Sequence, residues 1–151
     1  MGLYDRFATD AASEEQGQWV DFGDGVELRI ASTASRRADR ALDRHRAQYH
    51  RHYLHGKSIP LEVRLEADLA LAAAVLTDWR GAGVTGPDGS PLPYSADAAR
   101  QLMTDLRELR EQVLFVARQA ETFRKERVQD LGKTSSPSSG STGSTPTGPT
   151  N

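Results

Sequence analysis

The chain has 151 residues and no cysteine, so no disulfide framework holds it and a stable fold must come from a packed core. Its length suits one domain, and a net charge of −2 with a pI of about 6.1 is not the balance of a nucleic-acid binder. No apolar run approaches the ~20 residues needed to span a bilayer. "MGLYDRFATD" lacks a signal-peptide core, and Arg6 stands where a myristoylation signal wants Ser or Thr. A soluble intracellular protein is expected.

Residues 1–17 read as a flexible N-terminal arm, in which Leu3, Tyr4 and Phe7 form one helical turn that docks through its apolar side. In "QWVDFGDGVELRIAS" (18–32), Val26, Leu28 and Ile30 alternate with Glu27 and Arg29, the period of a half-buried strand. A two-residue Asp24-Gly25 loop would pair Phe22 with Glu27. A three-residue loop, Gly23 to Gly25, would pair Phe22 with Val26 and Val20 with Leu28, gathering Val20, Phe22, Val26, Leu28 and Ile30 on one face. Register follows the face that is buried, which favours the three-residue loop. A lone hairpin is marginal in water, so it must lie on helices or on another subunit.

A helix is predicted from about Ser35 to His55, with Ala38, Ala41, Leu42, His45, Tyr49 and Tyr53 on its inner stripe and Gly56 as left-handed cap. A second begins near "SIPLE", with Ser58 as cap and Pro60 in the first turn. Its stripe is Leu61, Leu65, Leu69, Ala72, Leu76 and Trp79. The run "LALAAAVL" (69–76) is apolar nearly all round, so this helix is buried on several sides or offers a face to a partner. Helical pattern returns from Ala96 to about Leu131, with a break allowed near Asp105. Its stripe is Leu102, Leu106, Leu109, Val113, Val116, Ala120 and Phe123; "FRKERVQD" is solvated, and Gly132 stops it. Leu69, Val75, Leu114 and Phe115 are the candidate partner-binding residues. The Ser/Thr/Gly/Pro-rich tail, 133–151, has almost nothing to bury and is expected to be disordered.

The link between the last two helices is "TDWRGAGVTGPDGSPLPYSADAARQLM" (77–103). Trp79 should close the second helix and plug the core, and Gly81 and Gly83 should turn the chain out of it. "PDGS" is a turn around Gly89, with Pro87 presetting φ. Pro91 and Pro93 hold the chain extended. Tyr94 staples onto the next helix, against Ala99; Ser95 is its N-cap, and Asp97 suits its positive end. With Leu28 and Phe22 on the hairpin, Trp79, Gly89, Tyr94 and Ser95 are the expected structural residues. The fold is read as mainly α: an N-terminal β-hairpin on three to four helices over 18–132, with a disordered C-terminal tail.

Little here carries chemistry. "GAGVTG" has glycines but follows a helix, so a dinucleotide loop is a poor reading. His45, His50, His52 and His55 lack the converging partners of a zinc site. The helix carrying "RALDRHRAQYHR" is the most basic part of the chain, but Arg36, Arg40, Arg44 and Arg51 point mostly away from its apolar stripe, as on a solvated surface helix, and Asp39 and Asp43 can pair with neighbouring arginines. No acid–base or nucleophilic constellation is found, so no enzyme and no cofactor are expected.

The order of three motifs resembles a family. The link, with its tryptophan, glycines, Asp-Gly turn and "PLPYS", the opening "MGLYDRFATD…WVDFGDGVELRIA", and the basic helix between them are similar to the tail assembly chaperones of long-tailed bacteriophages, over about residues 1–127. The Ser/Thr/Pro tail departs from that pattern. The resemblance implies a non-enzymatic protein of the host cytoplasm that coats the tape-measure protein, keeps it soluble and promotes tail-tube assembly. It also implies a longer product, made by programmed frameshift near the end of the first, that reaches the tail-tube protein; the Gly132-Lys133 pair, which a run of G followed by A can encode, places the expected slip near codon 133. A homo-oligomer is compatible with it, and a membrane is not expected. The alternatives are a structural minor tail or connector subunit of the virion and, third, a basic-helix nucleic-acid adaptor.

Overall fold

The computed structural model describes residues 2–125; the stop at Gly132, the tail expected to be disordered and the charged segment beyond Lys125 lie outside them, while Phe123, expected at a solvated end, is buried. The fold is mainly α around a small antiparallel sheet. In chain order the elements are α1 (Leu3–Phe7), α2 (Ala11–Gln16), β1 (Gln18–Gly23), β2 (Val26–Ile30), α3 (Arg36–Leu54), α4 (Leu61–Val75), β3 (Leu76–Arg80), α5 (Ala96–Asp105), α6 (Arg107–Arg118) and a 3₁₀ turn, Ala120–Phe123.

The sheet order is β1-β2-β3, so the hairpin does gain support, and from a strand as well as helices. Val20 lies opposite Leu28 and Asp21 opposite Glu27, but Gly23, not Phe22, lies opposite Val26. Phe22 is the extra residue of a β-bulge. The turn is then two residues, Asp24 and Gly25, both at positive φ (54° and 76°), as a type I′ hairpin requires. The bulge reconciles the two loop readings: it keeps a tight turn and still brings Phe22 against the core.

Leu76–Arg80 is the principal correction. The second helix stops at Val75, and the chain pairs antiparallel with β2: Leu28 opposite Trp79, Arg29 opposite Asp78, Ile30 opposite Leu76. Thr77 falls in the irregularity, where its hydroxyl donates to the Gln16 carbonyl at 2.8 Å and the Arg29 carbonyl at 3.1 Å. The sheet's inner face presents Leu28, Ile30, Leu76 and Trp79 to the helices, all buried. On the other face Arg80 pairs with Glu27 at 2.9 Å and lies 4.0 Å over the Trp19 ring.

Ser35 caps α3 by accepting from the Ala38 amide, and Gly56 follows its end at φ 64°. Arg46 pairs with both Asp39 and Asp43. Ala38 and His45 are buried as the stripe requires, while Tyr53 is exposed. Ser58 does not cap α4; Pro60 sits at the cap, and its carbonyl accepts from Val63 and Arg64. The buried face of α4 is Ala67, Leu71, Ala72 and Val75, whereas Leu61 and Leu65, expected inside, are exposed. The reason is the helix's early end: Leu76 and Trp79 reach the core from a strand and do not fix the helical phase.

The third helical segment does break, at Leu106. That residue is exposed, and the break resets the stripe: Met103, Leu114 and Ala117 are buried, and Ala120 is exposed. The Arg110 guanidinium donates to the Met103 carbonyl across the break. The second half of the arm is built into the fold. α2 is capped by Asp10, and the Ala8–Asp10 stretch exchanges backbone bonds with Phe123 and Lys125. The turn α1 forms, but Leu3, Tyr4 and Phe7 are exposed, so it does not dock through them.

The link makes a second small hairpin. Gly89 donates to the Gly86 carbonyl, Leu92 to the Val84 carbonyl, and Asp88 accepts from the amide and hydroxyl of Ser90. Gly81 and Gly83 do more than turn the chain. A methyl on Gly81 would overlap the Gly25 carbonyl oxygen, and one on Gly83 the Asp24 carbonyl oxygen. The link and the β1–β2 turn touch backbone to backbone, with the Gly83 amide 2.9 Å from the Gly25 carbonyl oxygen. That contact, not a phosphate, accounts for the first two glycines of "GAGVTG".

Candidate partner-binding groove

The four residues expected to meet a partner separate by burial. Val75 (0% exposed) and Leu114 (3%) lie in the core and offer no surface, because β3 covers the end of α4 and α6 turns Leu114 inward. Leu69 is half-buried against that core. Phe115 is 64% exposed.

Phe115 does not stand alone. It and Val116 on α6 face Val20 and Phe22 on β1 across an open groove of about 610 Å³. β1 is an edge strand, so its outer backbone edge has no strand beside it among the described residues. The bulge at Phe22 turns that side chain toward the groove, and the break at Leu106 sets α6 alongside the sheet. Asp21, Glu108 and Glu111 form an acidic rim, with Gln112 between them. The groove is therefore an apolar strip edged by carboxylates; no Lys or Arg lines it among the described residues, and Arg107 pairs with Glu111 from beyond the rim at 3.2 Å. Such a surface suits an amphipathic segment carrying Lys or Arg beside its apolar stripe. Val20 and Val116 are read from the sequence as core-facing and not as partner-binding, and the three carboxylates are not singled out; only the apolar pair Phe115-Val116, beside an acidic helical turn, signals the groove there.

Of the expected structural residues, Phe22 lines this groove; the others lie in or beside the link. Trp79 is 6% exposed, and its indole N–H donates to the Leu92 carbonyl at 2.7 Å. Tyr94 meets it edge to face, ring centres 4.9 Å apart, and donates its hydroxyl to the Leu76 carbonyl at 2.8 Å. Burial pushes the Tyr94 phenol above its ordinary pKa. The Ser95 hydroxyl accepts from the Ala98 amide at 2.9 Å. Leu28 is buried beneath them.

Among the described residues no group of three or more His, Cys, Asp or Glu side chains is placed to hold a metal ion, and no helix is long and apolar enough to cross a membrane. No curated protein and no solved structure matches the chain significantly. The family described as YdaY prophage protein matches residues 29–134, which takes in the last two residues of β2, the basic helix, α4, β3, the link and both helices beyond it. That span is well over half of the chain, and the chain belongs to the YdaY prophage protein family.

Proposed function

We propose that this phage-derived chain is a tail assembly chaperone, a non-enzymatic protein of the host cytoplasm that covers apolar helical segments of the tape-measure protein. The observation that carries the reading is the groove between β1 and α6, with Phe115 64% exposed on its wall. Water-exposed aromatic surface in a groove rimmed by polar groups marks an interaction site. A long helical chain with uncovered apolar stripes aggregates alone, and a groove of this kind lowers that exposure. The acidic rim selects segments flanked by Lys or Arg. Phage origin and the likeness in the link and hairpin motifs favour this role over a virion subunit or a nucleic-acid adaptor. On the same reading, a minor frameshifted product made near codon 133 carries the folded part to the tail-tube protein.

Co-expression tests it. The tape-measure chain is expected to be insoluble alone and soluble with this protein. Phe115→Asp should abolish that rescue while leaving the melting temperature within a few degrees, because the side chain is already exposed. No rescue by the unsubstituted protein, with the protein found in fixed copy number in purified virions, would instead make it a structural subunit.

A further inference from the structure

Away from the residues of the β1–α6 groove, α3, α4 and α5 line a smaller pocket of about 160 Å³. Arg40 and Arg44 reach it from successive turns of α3, and Arg100 from α5. Glu66 of α4 is its one carboxylate. Ala41 and Ala70 line it where α3 and α4 pack together, and their short side chains leave the space unfilled. His45, 7% exposed, forms its inner wall and makes no hydrogen bond to another described residue.

These arginines differ from most others in the described chain. Arg46 and Arg80 are paired with carboxylates, and Arg29, Arg37 and Arg110 donate to backbone carbonyls. Arg40, Arg44 and Arg100 have neither kind of partner among the described residues, yet they converge on one cavity. Three cationic side chains face one anionic one. Gathering like charges costs free energy that an anion in the cavity would offset.

We infer that this pocket is an oxyanion site for a phosphate group. A carboxylate offers two oxygens in one plane and is satisfied by one guanidinium fork. A tetrahedral phosphate presents oxygens in several directions, which suits donors arriving from two helices with an imidazole behind them. The pocket admits a small phosphate or phosphomonoester and is too small for a polymer to be enclosed. This inference is independent of what the β1–α6 groove binds.

Titration calorimetry of the full chain with inorganic phosphate, at constant ionic strength, tests it. Saturable binding with one phosphate per chain is expected. Arg44→Gln should weaken it about tenfold or more, the worth of one charge-assisted hydrogen bond. Glu66→Gln should tighten it, by removing the one repulsive charge. Arg46→Gln, on the same helix but paired outside the pocket, should leave it unchanged. All three side chains are exposed, so the variants should fold. An absence of saturable binding, or equal effects of Arg44→Gln and Arg46→Gln, would overturn the proposal. Tight binding of a DNA duplex that weakens equally with any α3 arginine removed would overturn it too, as a diffuse electrostatic surface needs no pocket.

Discussion

Trp79 shows how much of this small fold rests on single side chains. Its ring fills the space between the sheet and the link, its N–H satisfies the Leu92 carbonyl, and Tyr94 packs edge-on against it. Trp79→Ala should therefore cost roughly 3–5 kcal/mol, read as a lower urea midpoint. Its partner Tyr94 makes a pH prediction. Burial raises the phenol's pKa above the ordinary 10.0, the charge of Asp78 adds to this, and Arg37 opposes it. A group raised in the folded state contributes stability that is complete below its unfolded pKa and is lost as pH rises through the folded one. Stability should thus fall above about pH 10. Tyr94→Phe should lose part of that alkaline slope while also losing the bond to Leu76, and an unchanged slope would assign the titration to other groups.

At the level of elements, β2 is the organiser. It pairs on both edges, and its inward residues Leu28 and Ile30 are fully buried between strands and helices. Leu28→Asp would place an unpaired charge there and should destabilise by a few kcal/mol, whereas Glu27→Lys, on the outer face, should lose only an exposed pair with Arg80. Equal melting temperatures for the two variants would contradict the register. The alternation of β2 made it legible from sequence, as did the Ser35 and Ser95 caps, whose chemistry is local. β3 was not legible. Leu76 and Trp79 continue the three- and four-residue steps of α4, no Gly or Pro marks the change, and the unpaired edge of β2 that captures them is remote in sequence; tertiary pairing overrides helical pattern there. The same remoteness hid the groove. Phe115 was singled out as a partner-binding candidate, but Val20 and the acidic rim come together only through the bulge at Phe22 and the break at Leu106. Val75 and Leu114 were misplaced because an apolar run does not say which of its sides the fold will cover.

Across the whole molecule, the beginning of the described chain holds its end. Asp10 donates to the Phe123 carbonyl, Lys125 donates to the Ala8 carbonyl, and Thr9 bridges to Arg124. The same segment reaches the sheet and α3: Ser32 donates to the Glu14 carbonyl, Arg37 to that of Glu15, and Thr77 to that of Gln16. Residues 2–7 take no comparable part. Leu3, Tyr4 and Phe7 are 70%, 89% and 54% exposed, and the guanidiniums of Arg6 and Arg124 lie over the Phe7 ring. Exposed cation–π contacts of that kind are worth about 0.5–1 kcal/mol. Two deletions should consequently behave very differently. Removing residues 2–7 should move the melting temperature by only a few degrees. Removing residues 2–17 should strip the bonds to Ser32, Arg37 and Thr77 and uncover Phe123, now fully buried. Exposing that ring alone costs about 1.5–3 kcal/mol, before the unpaired backbone groups are counted. The longer deletion should also release the 3₁₀ turn from the sheet side, which hydrogen exchange at Thr122 and Arg124 would report as lost protection. Equal, small shifts for both deletions would mean that the paired ends are an ornament of the fold, with no part in holding it closed.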